Sequence, residues 1–302
     1  QIGYFLDESN QWSLNQASLE ASIARAKSDG IRPVALVVIN PGNPTGAVLG
    51  DENIRMIIRF AGANGLALIA DEVYQENIYG DRAKFHSFAR LMHEMGETSI
   101  PLFSLHSVSK GFLGECGHRG GYIEFRNVPE DVMAEFVKLQ TISLCSNVAG
   151  QLTTYLMVAP PTESDESYSV YVKERDGVLG SLKRKAEILG VGINKIPGMS
   201  VDVPEGAMYA FVRFELPEGS GVTPPPADTD ARKEYDSRRD SDYCLALLEQ
   251  TGMCVVPGSG FGQEPGTLHF RTTFLPPEEE IITLVRQLGE FHRRYTTELA
   301  SA

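Results

Sequence analysis

Cysteine is scarce in this sequence. There are four in 302 residues (Cys116, Cys145, Cys244 and Cys254), with no CxxC pair and no histidine at metal-ligand spacing. Zinc ribbons and thioredoxin-type redox motifs are thereby excluded. The even count permits disulfides, but so few thiols in so long a chain suit reduced side chains in an intracellular compartment. Long apolar runs are missing too: none approaches the roughly 18 residues of a spanning helix. Residues 1 to 15 lack the charged-then-apolar order of a signal peptide, so neither secretion nor membrane insertion is expected. Basic charge is in deficit, 27 Lys and Arg against 40 Asp and Glu, for a net charge of -13. A field of that sign repels phosphate backbones, which excludes nucleic acid as the expected partner. Any small anionic substrate needs local arginines to bind it against the field.

Apolar residues make up 42% and charged residues 22%, an ordinary balance for a protein with a sizeable core. The length suits one large or two modest domains. Val34-Ala35-Leu36-Val37-Val38-Ile39 is a nearly unbroken β-branched run that stops at Asn40-Pro41. Leu66 to Ala70 is a second, ending at Asp71-Glu72, and Ile100 to Leu105 a third, ending at His106-Ser107. Continuous rather than alternating apolar strands predict a sheet buried on both faces. Between the first two runs, Ile54, Ile57, Ile58 and Ala61 follow the i, i+3, i+4, i+7 spacing of an amphipathic helix over residues 51 to 64. Strand, helix, strand at this length is a βαβ unit, so the expected fold class is α/β with a mostly parallel sheet.

A long charged helix is expected from Glu166 to Leu189, bridging to a second domain, with the division at about residue 165. Strands follow at 207–214, 254–256 and 267–274, and helices at 234–251 and 276–298. A Pro-, Gly- and Asp-rich loop covers residues 217–231. This mixture without a βαβ rhythm reads as a smaller α+β domain over residues 166–302.

Ligands of open parallel sheets sit beyond the carboxyl ends of the strands. There the sequence carries Asn40-Pro41-Gly42-Asn43-Pro44-Thr45-Gly46, then Asp71-Glu72-Val73-Tyr74, then Ser107-Val108-Ser109-Lys110. Read singly, each residue has a bland alternative. Lys110 suits a solvated surface, Asp71, Ser107 and Ser109 suit helix caps, and Asn43 suits a turn. Tyr74 could pack on the sheet edge, and Arg119 could form a surface ion pair. An amine, a carboxylate, a phenol, an amide and hydroxyls at three successive strand ends together make a site. Cys116 reads as a small buried thiol rather than a catalytic one.

The three motifs in this order resemble the fold-type I, pyridoxal-phosphate-dependent aminotransferases. The stretch Ser109-Lys110-Gly111-Phe112-Leu113-Gly114-Glu115-Cys116-Gly117-His118-Arg119-Gly120-Gly121-Tyr122 resembles alanine aminotransferases in particular. The resemblance runs from the first residues to the last strand. It implies pyridoxal 5'-phosphate as cofactor, with Lys110 as the Schiff-base lysine and proton carrier and Asp71 paired with the pyridine nitrogen. Tyr74 and Asn43 would bond the phenolic oxygen, while Ser107, Ser109 and Arg119 would hold the phosphate. Arg271, in His269-Phe270-Arg271-Thr272, would grip the substrate carboxylate, with Asn43 beside it. No metal is implied. The activity implied is exchange of L-alanine and 2-oxoglutarate for pyruvate and L-glutamate in a ping-pong cycle. The expected partners are amino acid and 2-oxo acid substrates and, at full length, a second copy of the chain. The expected location is the cytoplasm or mitochondrial matrix.

Two other transaminase-like readings stay open on the residues: a glutamate:glyoxylate aminotransferase and a non-catalytic module that binds cofactor or amino acid. A side-chain pocket separates such substrates poorly, because one methylene is worth only about 1–3 kcal/mol. A serine hydrolase with a Ser-x-x-Lys motif is disfavoured, since the Ser-Asp-Asn and Lys-Thr-Gly elements are absent. Gln1 stands where an initiator Met would, and Gly3-Tyr4-Phe5-Leu6 resembles a strand in the middle of the family's large domain. The resemblance therefore implies that residues 1–165 are an incomplete large domain. The phosphate loop and ring-stacking aromatic would lie before it, leaving these residues alone inactive or weakly cofactor-binding.

Overall fold

In the first half of the chain, one amphipathic helix and three parallel strands organise the core. The structure, a computed structural model, describes residues 1–80, 83–218, 223–226 and 229–301. These form two compact units: Gln1–Gly42 with Ala47–Gly180, and Asn43–Gly46 with the residues from Ser181 onward. The first unit opens with two short paired strands, β1 (Leu6–Asp7) and β2 (Ser13–Leu14), and helix α1 (Gln16–Ser28). Then come β3 (Ala35–Ile39), α2 (Asp51–Ala63), β4 (Ala67–Asp71), α3 (Phe88–Glu94), β5 (Leu102–Ser107) and β6 (Gly121–Arg126). Helices α4 (Glu130–Ile142) and α5 (Val148–Val158) precede α6 (Tyr168–Ile193), which continues past Gly180 into the second unit.

The four longer strands form one sheet in the order β3-β4-β5-β6, parallel except for β6. Its α2 partner starts with Asp51 and Glu52, which complement the helix dipole, and buries Ile54, Ile57 and Ile58 completely. Those side chains meet Leu36 and Val38 of β3, Leu68 and Ala70 of β4, Leu102 of β5, and Phe88, Leu91 and Met92 of α3 in one cluster. Two-sided burial of the apolar runs is not what the structure has. On β3, Leu36 and Val38 are buried while Val37 is 50% and Ile39 39% exposed. The reason is that successive strand residues turn to opposite faces, and the face that carries Leu36 and Val38 is the one that packs on α2.

In the second unit, β7 (Met199–Ser200), β8 (Tyr209–Phe214), β9 (Val256–Pro257) and β10 (His269–Thr273) form an antiparallel sheet in the order β7-β8-β10-β9. Helices α7 (Asp230–Thr251) and α8 (Glu278–Ser301) complete it. The fully buried Tyr243 of α7 stacks on Phe214 at 4.2 Å and meets Phe291 of α8 edge-on at 5.2 Å. Its hydroxyl has a partner in His292 Nδ1, at 3.0 Å. Helix α7 begins four residues before the expected start, because Thr229 caps it by accepting from the Arg232 N–H. The loop expected over residues 217–231 lies partly outside the described residues.

The tetrapeptide Asn43–Gly46 leaves the first unit and belongs to the second. The Gly46 carbonyl accepts from the N–H groups of Glu205 and Gly206 at 3.0 and 2.8 Å. Gly46 has φ +72°, and a Cβ there would lie 2.6 Å from the Tyr209 carbonyl and 2.8 Å from Pro204 Cβ. Gly46→Ala is expected to cost about 1–3 kcal/mol for the backbone conformation, with the clash added. A lower urea midpoint for unfolding of the second unit is the predicted result; an unchanged midpoint would refute the close approach.

Candidate active site

The register of β4 against β5 sorts the residues at the strand ends by face. Asp71 lies opposite Leu105, so Asp71, Leu105 and Ser107 point to one side of the sheet. Asp71 is half-buried, and its Oδ1 accepts from the Val73 N–H at 3.2 Å. Its backbone carbonyl accepts from Asn40 N–H at 3.0 Å, tying the ends of β3 and β4 together. Tyr74, three residues on, is 2% exposed. After β5 the Ser107 hydroxyl accepts from the Ser109 N–H at 3.3 Å, and Lys110 follows, half-buried. The loop that carries Lys110 is folded back on itself: Glu115 N–H donates to Val108 O at 2.9 Å, and Val108 N–H donates to Gly120 O at 3.2 Å.

Arg119 stands at the end of that loop with φ +53°, exposed, its Nη1 donating to Cys116 O at 2.9 Å. Behind it the chain runs close to α5, where a Cβ on Gly150 would meet Arg119 O at 2.7 Å. Cys116 is exposed, not buried as expected, because the 3-10 turn Cys116–His118 buries none of its residues. All four cysteines are free.

Glu72, grouped with Asp71 at this strand end in the sequence, lies instead on the other face of the sheet. Glu72 is 3% exposed; its carboxylate accepts from the Phe88 N–H at 2.9 Å and from the Ser104 hydroxyl. Burial raises its pKa above the ordinary carboxylate range, with the bonds from Ser104 and Phe88 opposing. His106 shares that face, is 7% exposed, and meets Tyr122 edge-on at 5.7 Å. Among the described residues, neither of its ring nitrogens has a hydrogen-bond partner. Burial accordingly pushes its pKa down to about 4. The period-two alternation of a strand was the signal available in the sequence for setting Glu72 apart from Asp71.

In the second unit, Arg271 on β10 donates from Nη1 to Asn43 Oδ1 at 3.0 Å. Its guanidinium carbon lies 4.5 Å from the Tyr209 ring centroid and 4.9 Å from that of Phe261. Among the described residues no carboxylate pairs with this half-buried cation. Rings against the guanidinium favour in-plane approach of a further acceptor, which is how a carboxylate binds bidentately. Of the expected site residues, Asp71, Tyr74, Ser107, Ser109, Lys110 and Arg119 belong to the first unit, and Asn43 and Arg271 to the second. Sequence reasoning placed Tyr209 in a strand without a role and did not single out Phe261.

By the chemistry of its donors, the first-unit set fits pyridoxal phosphate. It offers an amine for an aldehyde, a carboxylate for a ring nitrogen, and hydroxyls and a guanidinium for a phosphate. Residues 2–288 match the family described as aminotransferase class I and II. The chain is 47% identical over 298 residues to a probable mitochondrial alanine aminotransferase of Dictyostelium discoideum, covering 98% of this chain and 54% of that protein. It is 44% identical over 301 residues to alanine aminotransferase 1 of Homo sapiens, covering 99% of this chain and 59% of that protein. Among solved structures, an alanine aminotransferase from Pyrococcus furiosus superposes with a TM-score of 0.75 at 25% identity, covering 96% of this chain and 64% of that one. The chain thus spans little more than half the length of the curated relatives it matches.

The unpaired His106 generates a prediction. Its depressed pKa means that the unfolded chain binds the proton more tightly than the folded one. Stability from the neutral ring is therefore present above pH 6.5 and lost as pH falls toward about 4. His106→Phe keeps the edge-on contact and removes both unpaired nitrogens. Its urea midpoint should exceed that of the parent by a margin that widens between those two pH values. A constant margin would contradict the buried neutral imidazole.

Proposed function

The chain belongs to the aminotransferase class I and II family, and from that premise we propose that it is the catalytic part of an alanine aminotransferase using pyridoxal 5'-phosphate. Members of this family are pyridoxal-phosphate-dependent. The reaction proposed for the whole protein exchanges L-alanine and 2-oxoglutarate for pyruvate and L-glutamate in two half-reactions. The names of its relatives support the substrate assignment. The observation that carries the reading furthest is the half-buried Arg271, held by Asn43 and two rings and paired with no carboxylate among the described residues. A cation kept that way suits an acid that comes and goes with the substrate.

When bound, the cofactor supplies an electron sink for the pair released as the substrate Cα–H bond breaks. The protein's own groups do the rest. Lys110 Nζ would hold the cofactor aldehyde and then carry the proton from Cα as general base and general acid. Asp71, on the same side of the sheet as Ser107, would hydrogen-bond the pyridine nitrogen and keep it protonated. Ser107, Ser109 and Arg119 would hold the phosphate, and Tyr74 with Asn43 would bond the phenolic oxygen. Arg271 would orient the substrate through its α-carboxylate, with Asn43 fixing one edge of the guanidinium.

A homodimer at full length is part of the same proposal. Ile142, Leu144, Leu152 and Tyr155, on and between α4 and α5, are 77%, 90%, 61% and 64% exposed, which supports a covered face there. Residence in the cytoplasm or mitochondrial matrix is likewise proposed. Among the described residues no helix is long and apolar enough to cross a membrane.

Borohydride reduction after incubation with pyridoxal phosphate tests the site. The expected product is a phosphopyridoxyl label on Lys110 in the digest, lost in Lys110→Ala. Label in the full-length protein that is scattered over surface lysines and unchanged by Lys110→Ala would refute the assignment.

A further inference from the structure

Asp240 of α7 is wholly buried, and among the described residues no cation pairs with it. Hydrogen-bond donors surround it instead. Ser259 gives its N–H to Oδ2 at 2.7 Å and its hydroxyl to Oδ1 at 3.0 Å. Gln263 Nε2 donates to Oδ2 at 2.9 Å, and the Ser241 hydroxyl to Oδ1 at 3.3 Å. Three of the four bonds hold residues 259–263, the stretch that contains the end of the 3-10 turn Gly258–Phe261. Burial raises the carboxyl's pKa, and the Ser259, Gln263 and Ser241 bonds oppose that rise.

The same turn is clamped from its other side. With Nε2 of Gln263 given to Asp240, Oε1 is left to accept, and His269 Nδ1 donates to it at 3.1 Å. The His269 ring stacks on Phe211 at 4.6 Å and 4°. Phe211 in turn meets Phe261 edge-on at 5.8 Å. Gly258 brings the turn onto β10, since a Cβ there would lie 2.7 Å from His269 Cβ. Phe261 is therefore fixed through its backbone and its ring, and that ring lies 4.9 Å from the Arg271 guanidinium carbon.

We propose that Asp240 is a positioning residue for Arg271, acting through Ser259 and Phe261 to set the orientation in which the guanidinium meets a carboxylate. The proposal rests on the reading of Arg271 as the substrate-carboxylate partner. The acceptor the turn depends on is Oδ2, which takes two N–H groups that cannot accept in return, the Ser259 backbone and Gln263 Nε2. A leucine at 240 fills the same space and removes the acceptors for both. Releasing the turn frees Phe261 and uncovers one side of Arg271, without touching Arg271's own bond to Asn43.

The test is the rate at which phenylglyoxal modifies Arg271 in the chain, read by peptide mass spectrometry against the exposed Arg184 in the same digest. Asp240→Leu should raise that ratio about threefold, the size expected for losing one cation–π contact. Phe261→Leu should raise it as much, and it keeps the measurement decisive if Asp240→Leu folds poorly. The double variant should go no higher than Phe261→Leu alone, whereas general loosening of the unit would add. An unchanged ratio in the folded single variants, or an additive double variant, overturns the positioning role. Protection of Arg271 by 2-oxoglutarate in the parent is read separately. Its absence would remove the carboxylate reading and leave the effect of Asp240 on the guanidinium standing.

Discussion

The parallel register of β4 on β5 is the constraint on which the proposed first-unit site depends. Two acidic residues adjoin at the end of β4, and strand geometry sends them to opposite faces. Asp71, half-buried, shares its face with Ser107 two residues before the Ser109-Lys110 pair. Glu72 is driven into the interior, where the Ser104 hydroxyl and the Phe88 N–H satisfy it and pin β4 to β5 and to the start of α3. A slip of one residue would exchange the two carboxylates, so packing of the α2 and α3 core and placement of the site are one requirement.

In the second unit the dominant interaction is of a different kind. Arg271 sits on a strand among aromatic neighbours, where an unsupported cation is costly. Two rings, one amide and a turn held by a buried carboxylate supply the support. A guanidinium covered by rings keeps its in-plane donors, the geometry that the proposed grip on a substrate carboxylate needs. In that proposed role, preorganisation would lower the ordering cost of binding.

Much of the architecture was legible in the sequence because its signals are local. The apolar runs that stop at Asn40, Asp71 and His106, and the spacing of Ile54, Ile57 and Ile58, follow directly from strand and helix periodicity. Helices α4 and α5 escaped notice because their apolar residues are largely exposed and form no inward stripe. Nor could local sequence assign Asn43–Gly46 to the second unit, since the partners Glu205, Gly206 and Tyr209 lie some way along the chain. Asp240 and Ser259 were illegible for the same reason: each is unremarkable in its own window, and only tertiary packing joins them. The motifs proposed to form the first-unit site were readable at strand ends; the hydrogen bonds that hold them were not.

Equilibrium binding of pyridoxal phosphate to the parent chain, Asp71→Asn and Glu72→Gln tests the central claim most directly. Gln at 72 can still accept from Phe88 and donate to Ser104, so it should bind the cofactor like the parent. Asn at 71 should bind at least about tenfold more weakly, the size expected for losing a hydrogen bond to a charged group. Equal binding by the parent and Asp71→Asn, or an equal loss in both variants, would contradict the division of labour between the two carboxylates.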